Sequence, residues 1–327
     1  MEEVCSTCSR HTVFYCLQNS FATQHSHGPK AVALSREPTT QVRMTIGSAL
    51  SSSVRAPKAQ VCLRDPSAFR ISSRRSRGMD SHKGGRLYEE LSWLWPIISA
   101  PSDYLAETTS LTEAIREGAT NETTTLLNLG CGGGHHDFGL KRYLRIAGVD
   151  ISEQMLTLAR RLNPEVEYTT GDMRSIRLGK LFDVVTIFDS INHMTTEEDL
   201  LACFHTAAAH LRQKGILLTI PEVTAESNVQ NQTSCSTHRH GDVQVTFVEN
   251  HYDPVPTDTT FEMTLVFLIR KGHELSVETD RDICGVFPRA TWWRLLQQAG
   301  FSVREKYVEE ISSQLGDCPV LLATKTA

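Results

Sequence analysis

The chain has 327 residues, of which 40% are hydrophobic and 22% are charged, and its formal net charge is −5. This length predicts one large domain with additional sequence, or two small domains. The longest apolar runs, such as 265–269, are far shorter than the ~20 residues that a membrane helix needs. We therefore expect no membrane-spanning segment.

The charge is divided unevenly along the chain. Residues 1–78 contain two lysines, nine arginines and four acidic residues, a net charge of +7, which leaves −12 for the remainder. An acidic body repels phosphate backbones, which argues against nucleic acid as a partner and is compatible with a small or cationic substrate. The nine cysteines are odd in number and irregularly spaced, and no signal peptide precedes them. This pattern predicts free thiols in the cytoplasm.

Residues 1–78 differ in composition from the rest of the chain. They are rich in Ser, Thr and Arg and lack sustained apolar periodicity. This composition predicts a disordered leader. An organellar transit peptide is one alternative, although Glu2 and Glu3 oppose it. A second alternative is an upstream extension of a gene whose natural start is Met79.

The leader also contains one cysteine-rich segment, with Cys5, Cys8, His11 and Cys16. A zinc site normally requires a second closely spaced pair of ligands, and none follows. We expect unpaired cysteines and no metal.

Regular elements begin after Met79. An apolar helix is predicted over 87–95, ending at Pro96, and Ser110-x-x-Glu113 resembles a capping box that begins a second helix. Strands then alternate with helices. The predicted strands are 125–129, 146–149, 166–169, 182–188 and 216–220, and the predicted helices lie at 136–144, 155–162 and after the capping pair Thr195 and Glu198. Such alternation indicates a parallel sheet covered by helices on both faces.

The pattern changes after Pro221. Strands are predicted at 243–252, 260–270 and 274–282 without intervening helices, which indicates an antiparallel insert within 222–288. A final helix at 290–299 and a closing antiparallel pair at 301–307 and 319–324 follow. We therefore predict one α/β domain over 79–327, with the insert before the last helix.

A glycine-rich loop joins the first strand to the next helix. Its sequence is Leu-Gly-Cys-Gly-Gly-Gly from Leu129 to Gly134, and glycines at such a junction let the backbone approach a ligand closely. The dinucleotide fingerprint G-x-G-x-x-G fails, because its sixth position is His135 or Asp137, depending on the register. This failure disfavours a nicotinamide dehydrogenase.

Two acidic residues follow later strands. Asp150 ends the second strand, where a carboxylate can accept hydrogen bonds from both ribose hydroxyls of an adenosine. Asp172 follows the third strand, where it can accept a hydrogen bond from an adenine amino group beside Met173. Taken singly, Asp150 could equally cap a helix, and Asp172 could equally belong to a turn.

Together, the loop and the two acids resemble the class I S-adenosylmethionine-dependent methyltransferases. The resemblance implies S-adenosylmethionine as cofactor and a Rossmann-like, seven-stranded sheet with helices on both faces. It implies that the glycines surround the methionine part, that Asp150 holds the ribose and that Asp172 and Met173 flank the adenine. The cofactor-binding residues predicted in this way are Asn128, Gly130, Cys131, Gly132, Gly134, Asp150, Ile151, Asp172, Met173 and Phe188. Asn128 departs from the family pattern, which has Asp or Glu there.

The region after the fourth strand suggests the acceptor. It lacks the (D/N)PP(Y/F) motif of adenine and glutamine N-methyltransferases, and with the insert it resembles bacterial small-molecule N-methyltransferases of the aminosugar type. This resemblance places Tyr88 and His193 beside an acceptor amine, while Asp189 departs from the small residue of the sugar enzymes. Because an attacking amine must be neutral, His193 could take its proton. A purely structural histidine is the alternative.

We therefore predict an enzyme that methylates a small molecule, with an amine as the expected acceptor. Transfer to oxygen or carbon is one alternative, and a noncatalytic partner protein that binds the cofactor is another. A homodimer is compatible with the sequence. The predicted catalytic residues are His193, Tyr88 and Asp189.

Overall fold

A computed structural model describes residues 85–119 and 122–326. Short 3₁₀ turns at Arg86–Tyr88, Ser92–Leu94 and Pro101–Tyr104 surround the first helix. The helices are α1 (Trp95–Ile98), α2 (Leu105–Gly118), α3 (His135–Leu140), α4 (Glu153–Leu162), α5 (Glu197–His210), α6 (Arg289–Gln298) and α7 (Glu309–Leu315). The strands are β1 (Thr125–Leu129), β2 (Arg145–Asp150), β3 (Glu167–Thr170), β4 (Phe182–Ile187), β5 (Leu211–Thr219), β6 (Gln232–His240), β7 (Val243–Tyr252), β8 (Thr260–Lys271), β9 (Glu274–Gly285), β10 (Phe301–Lys306) and β11 (Val320–Lys325).

Seven strands form the main sheet, in the order β10–β11–β5–β4–β1–β2–β3. The pairs within β5–β4–β1–β2–β3 are parallel, while β11 runs antiparallel to both β5 and β10. The strand order reverses between β1 and β4, and ligands bind beyond the carboxyl ends of the strands at such a point. The glycine loop and the turn after β4 both start at this position. The predicted Rossmann-like sheet is confirmed.

Helices bury apolar side chains against both faces of this sheet. On one face, α5 and α6 contribute Phe204 and Trp292 to a cluster with Val185 and Leu217. On the other face, α2 and α7 contribute residues to a second cluster that includes Leu111 and other buried side chains. At ~25 cal/mol per Å² of apolar surface removed from water, these faces are the main source of stability.

The insert forms a separate four-stranded antiparallel sheet, in the order β6–β7–β8–β9. Its buried face packs against apolar residues of the segment before α2, including Leu87 and Leu94. The Leu87 backbone N–H donates to Asp280 Oδ2 at 2.8 Å, which joins the turn containing Tyr88 to β9. The insert therefore positions the first 3₁₀ turn.

Several local predictions were wrong. The segment 87–95 forms 3₁₀ turns, and Pro96 lies in the first turn of α1, where its missing N–H costs nothing. Ser110 lies inside α2, because that helix begins earlier, at Leu105. Helix α5 is capped by Thr196, whose side chain accepts a hydrogen bond from the Asp199 N–H, and not by Thr195.

Strand β6 and helix α7 were missed by the sequence analysis. β6 has one fully buried side chain, that of Ser234, so it lacks the apolar alternation on which strand prediction depends. α7 is only seven residues long. The predictions for the leader, including its cysteines, lie outside the described residues. Within the described ranges, no helix is long and apolar enough to cross a bilayer.

Candidate active site

The glycine loop wraps tightly around the end of β2. The N–H groups of Gly130 and Cys131 both donate to the Val149 carbonyl oxygen, at 2.7 and 2.9 Å. Gly130, Gly132 and Gly134 have φ values of +69°, +53° and +74°, a backbone region that glycine enters with little strain. The loop requires glycine at all three positions for conformational reasons.

The surroundings of these glycines differ. A Cβ on Gly130 would lie 2.1 Å from Ser190 Oγ, and a Cβ on Gly134 would lie 2.7 Å from Tyr168 Oη. A Cβ on Gly132 would meet only Met155 Cε, at 3.5 Å. Gly130 and Gly134 are therefore packed against protein, while Gly132 borders open space that can admit the methionine part of the cofactor.

Asp150 connects the loop to helix α4. Its Oδ2 accepts the Gly132 N–H at 2.7 Å, and its Oδ1 accepts the Ser152 N–H at 2.9 Å. Burial raises the pKa of Asp150, although these hydrogen bonds oppose the shift. Asp150 therefore supports the loop. A carboxylate acceptor at the end of β2 also suits a ribose, and this predicted contact stays a prediction.

Asp150→Ala should weaken binding of S-adenosylmethionine. Removing a charged acceptor from hydrogen-bonded partners costs ~1–3 kcal/mol, or roughly 5- to 150-fold in Kd. Asp150→Asn retains one acceptor oxygen and should show a smaller loss. Calorimetry on both variants measures the difference, and an unchanged Kd in folded Asp150→Ala would contradict the assignment.

A buried polar network lies beneath the loop. Asn128 Nδ2 donates to Asp137 Oδ1 at 2.8 Å, and Thr186 Oγ1 donates to Asn128 Oδ1 at 3.1 Å. Tyr168 Oη donates to Asp137 Oδ2 at 2.9 Å, and Asn163 Nδ2 donates to the Gly134 carbonyl oxygen at 2.8 Å. Asn128 is thus engaged on both sides of its amide, and its predicted contact with the cofactor stays a prediction.

Asp137 supplies a carboxyl group close to the position where the family pattern has an acid. Burial raises its pKa from 3.8 to about 6, opposed by the hydrogen bonds from Asn128 and Tyr168. A carboxyl group with a raised pKa in the folded state contributes stability below about pH 4, which is lost as the pH rises through about 6. The sequence analysis missed this residue, since only the fold brings it beneath β1.

Asp137→Asn should therefore flatten the pH dependence of stability. Between pH 4.5 and 7, the wild type should lose about 2 kcal/mol of unfolding free energy that the variant retains. An asparagine can keep the network, with its oxygen facing Asn128 Nδ2 and its nitrogen facing Tyr168 Oη. Denaturant titrations at both pH values measure the unfolding free energy of each protein. An equal change in unfolding free energy between the two pH values would contradict the prediction.

Asp172 lies in an ion pair that the sequence analysis did not foresee. Arg174 donates to it through Nε, at 3.0 Å to each oxygen, and through Nη2, at 2.6 Å. Arg174 Nη1 also donates to Asp199 Oδ1 at 2.9 Å, which links the turn after β3 to α5. Met173 is buried, and its sulfur lies 3.5 Å from the position of a Cβ on Gly130. Met173 therefore lies at the glycine loop.

Three other predicted cofactor residues have contrasting surroundings. Ile151 is 46% exposed, beside Asp150, and is free to cover a ligand. Phe188 is buried and stacks on the His136 ring with centroids 4.0 Å apart. The Cys131 thiol is also buried, and burial raises its pKa well above the usual value. Ile151 is the most accessible side chain of these three.

Tyr88 and His193 lie together, although 105 residues separate them in the chain. Their rings meet edge to face, with centroids 5.3 Å apart. His193 Nδ1 is 3.5 Å from Asp282 Oδ2 of β9, which can orient the imidazole. The Tyr88 carbonyl oxygen accepts a hydrogen bond from Ser152 Oγ at 2.6 Å, next to Asp150. The insert, the first 3₁₀ turn and the turn after β4 thus converge at the end of the sheet.

Asp189 has a neighbour that the sequence analysis did not identify. Its side chain is hydrogen-bonded to Glu222, which lies just beyond the end of β5 and is 97% buried. Burial, followed by the charge of Asp189, raises the pKa of Glu222 well above its usual value. No local pattern in the sequence indicates Glu222, because its contact with Asp189 depends on the adjacency of β4 and β5.

The fold and this arrangement define a class of protein. Residues 126–215 match the family model described as a methyltransferase domain. With the order of the seven strands and the glycine loop, this match gives the chain the fold and the methyltransferase domain of the class I S-adenosylmethionine-dependent methyltransferases. The predicted recognition and cofactor class are confirmed.

Two curated relatives have names that specify an acceptor. A dTDP-3-amino-3,4,6-trideoxy-α-D-glucopyranose N,N-dimethyltransferase from Streptomyces venezuelae is 37% identical over 36% of this chain and 51% of its own length. A dTDP-3-amino-3,6-dideoxy-α-D-glucopyranose N,N-dimethyltransferase from Streptomyces fradiae is 31% identical over 45% of this chain and 58% of its own. The chain thus spans little more than half the length of these relatives.

A solved structure has the same fold. S-adenosylmethionine-bound CalS10, an amino pentose methyltransferase from Micromonospora echinaspora, is 23% identical, with a TM-score of 0.61. The match covers 68% of this chain and 92% of that chain. At this identity, the similarity concerns the fold alone.

Proposed function

We propose that the protein transfers the methyl group of S-adenosylmethionine to the amine of a small molecule, and that this molecule is an amino sugar linked to a nucleotide. The proposal rests on the contact between the Tyr88 and His193 rings, close to the glycine loop and Asp150. The two curated relatives support the sugar and the nucleotide, since both are named for such acceptors.

The residues present suit the cofactor. Gly132 borders open space, Asp150 offers carboxylate oxygens at the end of β2, and Ile151 is exposed beside it. When bound, S-adenosylmethionine supplies an electrophilic methyl group on a sulfonium. The protein mainly contributes proximity and orientation, since the displacement needs no covalent intermediate.

The acceptor needs one further contribution from the protein. A protonated amine has no free electron pair, so it must lose a proton before it attacks. His193 takes this proton, and Asp282 stabilises the imidazolium that forms. The Tyr88 ring, packed against the imidazole, limits the positions of the histidine and of the acceptor.

Turnover with matched acceptors tests the proposal. The full-length protein is incubated with S-adenosylmethionine and a dTDP-linked 3-amino-6-deoxy sugar, or with the 3-hydroxy counterpart. We expect S-adenosylhomocysteine release and methylated product only with the amine. Transfer to the hydroxyl would favour an O-methyltransferase, and cofactor binding without transfer to any amine in a broad panel would favour a noncatalytic binding protein.

A further inference from the structure

A pair of carboxyl groups lies at the carboxyl ends of two adjacent strands. Ile187 of β4 pairs with Thr219 of β5, and Asp189 and Glu222 follow these residues closely. Their carboxyl groups lie close enough for a hydrogen bond, which adds to the raised pKa of Glu222. Ser190, the next residue after Asp189, packs against Gly130. Asp189 is therefore the sequence neighbour of a residue that packs against the glycine loop.

Two carboxyl groups can form a hydrogen bond only when one of them carries a proton. The pair therefore needs at least one proton, since two ionised carboxylates in contact repel each other, and with one proton it carries one negative charge. Burial favours the protonated form of Glu222. The titratable groups that act on this pair or on the adjacent Tyr88 come from the first 3₁₀ turns, α2 and the insert. They are Tyr88, Tyr104, Glu107, Glu249, Asp282 and Cys284, together with Cys318 from the segment before β11.

A second carboxylate faces the same region from the insert. Glu249 of β7 is 98% buried, and its Oε1 lies 2.7 Å from His251 Nε2. Its Oε2 is buried without a hydrogen-bond partner in the described part of the chain. The charge of Glu249 raises the pKa of both Tyr88 and Glu222, so Glu249 lies within electrostatic range of both residues. A buried carboxylate oxygen without a donor is costly, so it indicates a ligand that supplies one.

A further unpaired group lies on the same turn as Asp189. Asn192 is 97% buried, and among the described residues neither its Oδ1 nor its Nδ2 has a hydrogen-bond partner. Because Asn192 directly precedes His193, the polar atoms without partners and the predicted base share one short segment. The region thus combines buried carboxyl groups with hydrogen-bonding groups that have no partner among the described residues.

We propose that Asp189 and Glu222 bind the acceptor amine in its ammonium form and determine the preference of the site for an amine over a hydroxyl, with Glu249 offering a further acceptor oxygen from the insert. This inference rests on the proposed function, because it assigns a role within the same site. An ammonium supplies three N–H donors and one positive charge. A hydroxyl supplies one donor and leaves the negative charge of the pair uncompensated.

Protons and electrons balance in the proposed reaction. The ammonium binds the singly charged pair, and one of its protons then passes to neutral His193, which becomes positively charged beside Asp282. The neutral amine stays hydrogen-bonded to the pair. Its electron pair forms the new N–C bond while the S–C electrons remain on sulfur, and the methylated ammonium again faces the pair.

Binding of simple probes tests the role of the pair without methyl transfer. The probes are cyclohexylamine, which is a cation at neutral pH, and cyclohexanol, which has the same ring and no charge. Both are titrated into the full-length protein saturated with S-adenosylhomocysteine. We expect the wild type to prefer the amine. Asp189→Asn and Glu222→Gln should each weaken amine binding by roughly 10- to 100-fold, as expected when a charged hydrogen-bond partner is lost.

Two controls separate this role from a structural one. Both variants should keep the wild-type affinity for cyclohexanol and for S-adenosylhomocysteine, which damage to the fold would reduce. Asp253→Asn changes another buried carboxylate of the insert, one that accepts hydrogen bonds from Asn228 and Val255, and it should retain the preference.

The inference is overturned if the wild type shows no preference for cyclohexylamine over cyclohexanol, which includes binding neither probe. It is also overturned if both variants keep the preference of the wild type. The proposed function can fail separately. If the wild type prefers cyclohexylamine in this way but methylates no amine, the proposed reaction is wrong and the ammonium site stands. If amines are methylated and both variants keep the wild-type KM for the amine, the inference is wrong and the function stands.

Discussion

Gly132→Val should abolish binding of S-adenosylmethionine while the protein still folds. A side chain on Gly132 meets only the flexible end of Met155, at 3.5 Å, so it projects into the space beside Asp150 that the cofactor needs. The φ of +53° adds backbone strain, because a β-branched residue is disfavoured there. We expect no detectable heat of binding in a calorimetric titration, and no turnover.

The matched control for this variant is Gly179→Val. Gly179 has a φ of +66°, and a Cβ there meets nothing within 4 Å. It therefore carries similar backbone strain away from the loop and should bind the cofactor like the wild type. Normal binding by Gly132→Val would show that the open space beside this glycine is not the cofactor site.

His193→Asn should lower turnover strongly and leave cofactor affinity nearly intact. General-base assistance contributes ~100- to 10,000-fold in many enzymes, and asparagine keeps a polar side chain without a basic nitrogen. His193 contacts Tyr88 and Asp282, whereas the loop and Asp150 are held by other residues. The measurement is kcat with an identified amine acceptor, together with the Kd for S-adenosylmethionine.

His205→Asn is the matched substitution, since His205 is exposed on α5. It should leave both constants unchanged. A loss of less than tenfold in His193→Asn would mean that this histidine orients the acceptor, or that the amine arrives already neutral. Comparable losses in the two variants would mean that the effect is not specific to the site.

The geometry of the glycine loop and of Asp150 could be predicted because its signals are local. The glycines from Gly130 to Gly134 and the acid Asp150 each occupy the end of a strand whose apolar run is visible in the sequence. The φ values and the hydrogen bond from Gly132 to Asp150 agree with this interpretation. Local patterns are sufficient here because the loop is built from consecutive residues.

The acceptor side could be predicted only in part. Tyr88 and His193 were predicted through a resemblance, and the structure brings their rings together, while Glu222 and Glu249 gave no local signal. Their placement depends on the adjacency of β4 and β5 and on the register of the insert, where Glu249 aligns with Leu265 of β8 and, across it, with Asp280 of β9. Such relations are tertiary, and no pattern within a short window contains them.

The buried polar network beneath the loop could not be predicted from the sequence, for a third reason. The sequence analysis noted that Asn128 stands where the family pattern has an acid. The structure brings Asp137 into contact with Asn128, so a carboxyl group remains beneath the loop on a different element. A compensation of this kind becomes visible only when helix α3 is packed against β1.

Calorimetric titration of the full-length protein with S-adenosylmethionine and, separately, with NAD tests the central claim most directly. The account predicts saturable binding of S-adenosylmethionine with one molecule per chain, and no binding of NAD at the same concentrations. Binding of NAD more tightly than S-adenosylmethionine would contradict it.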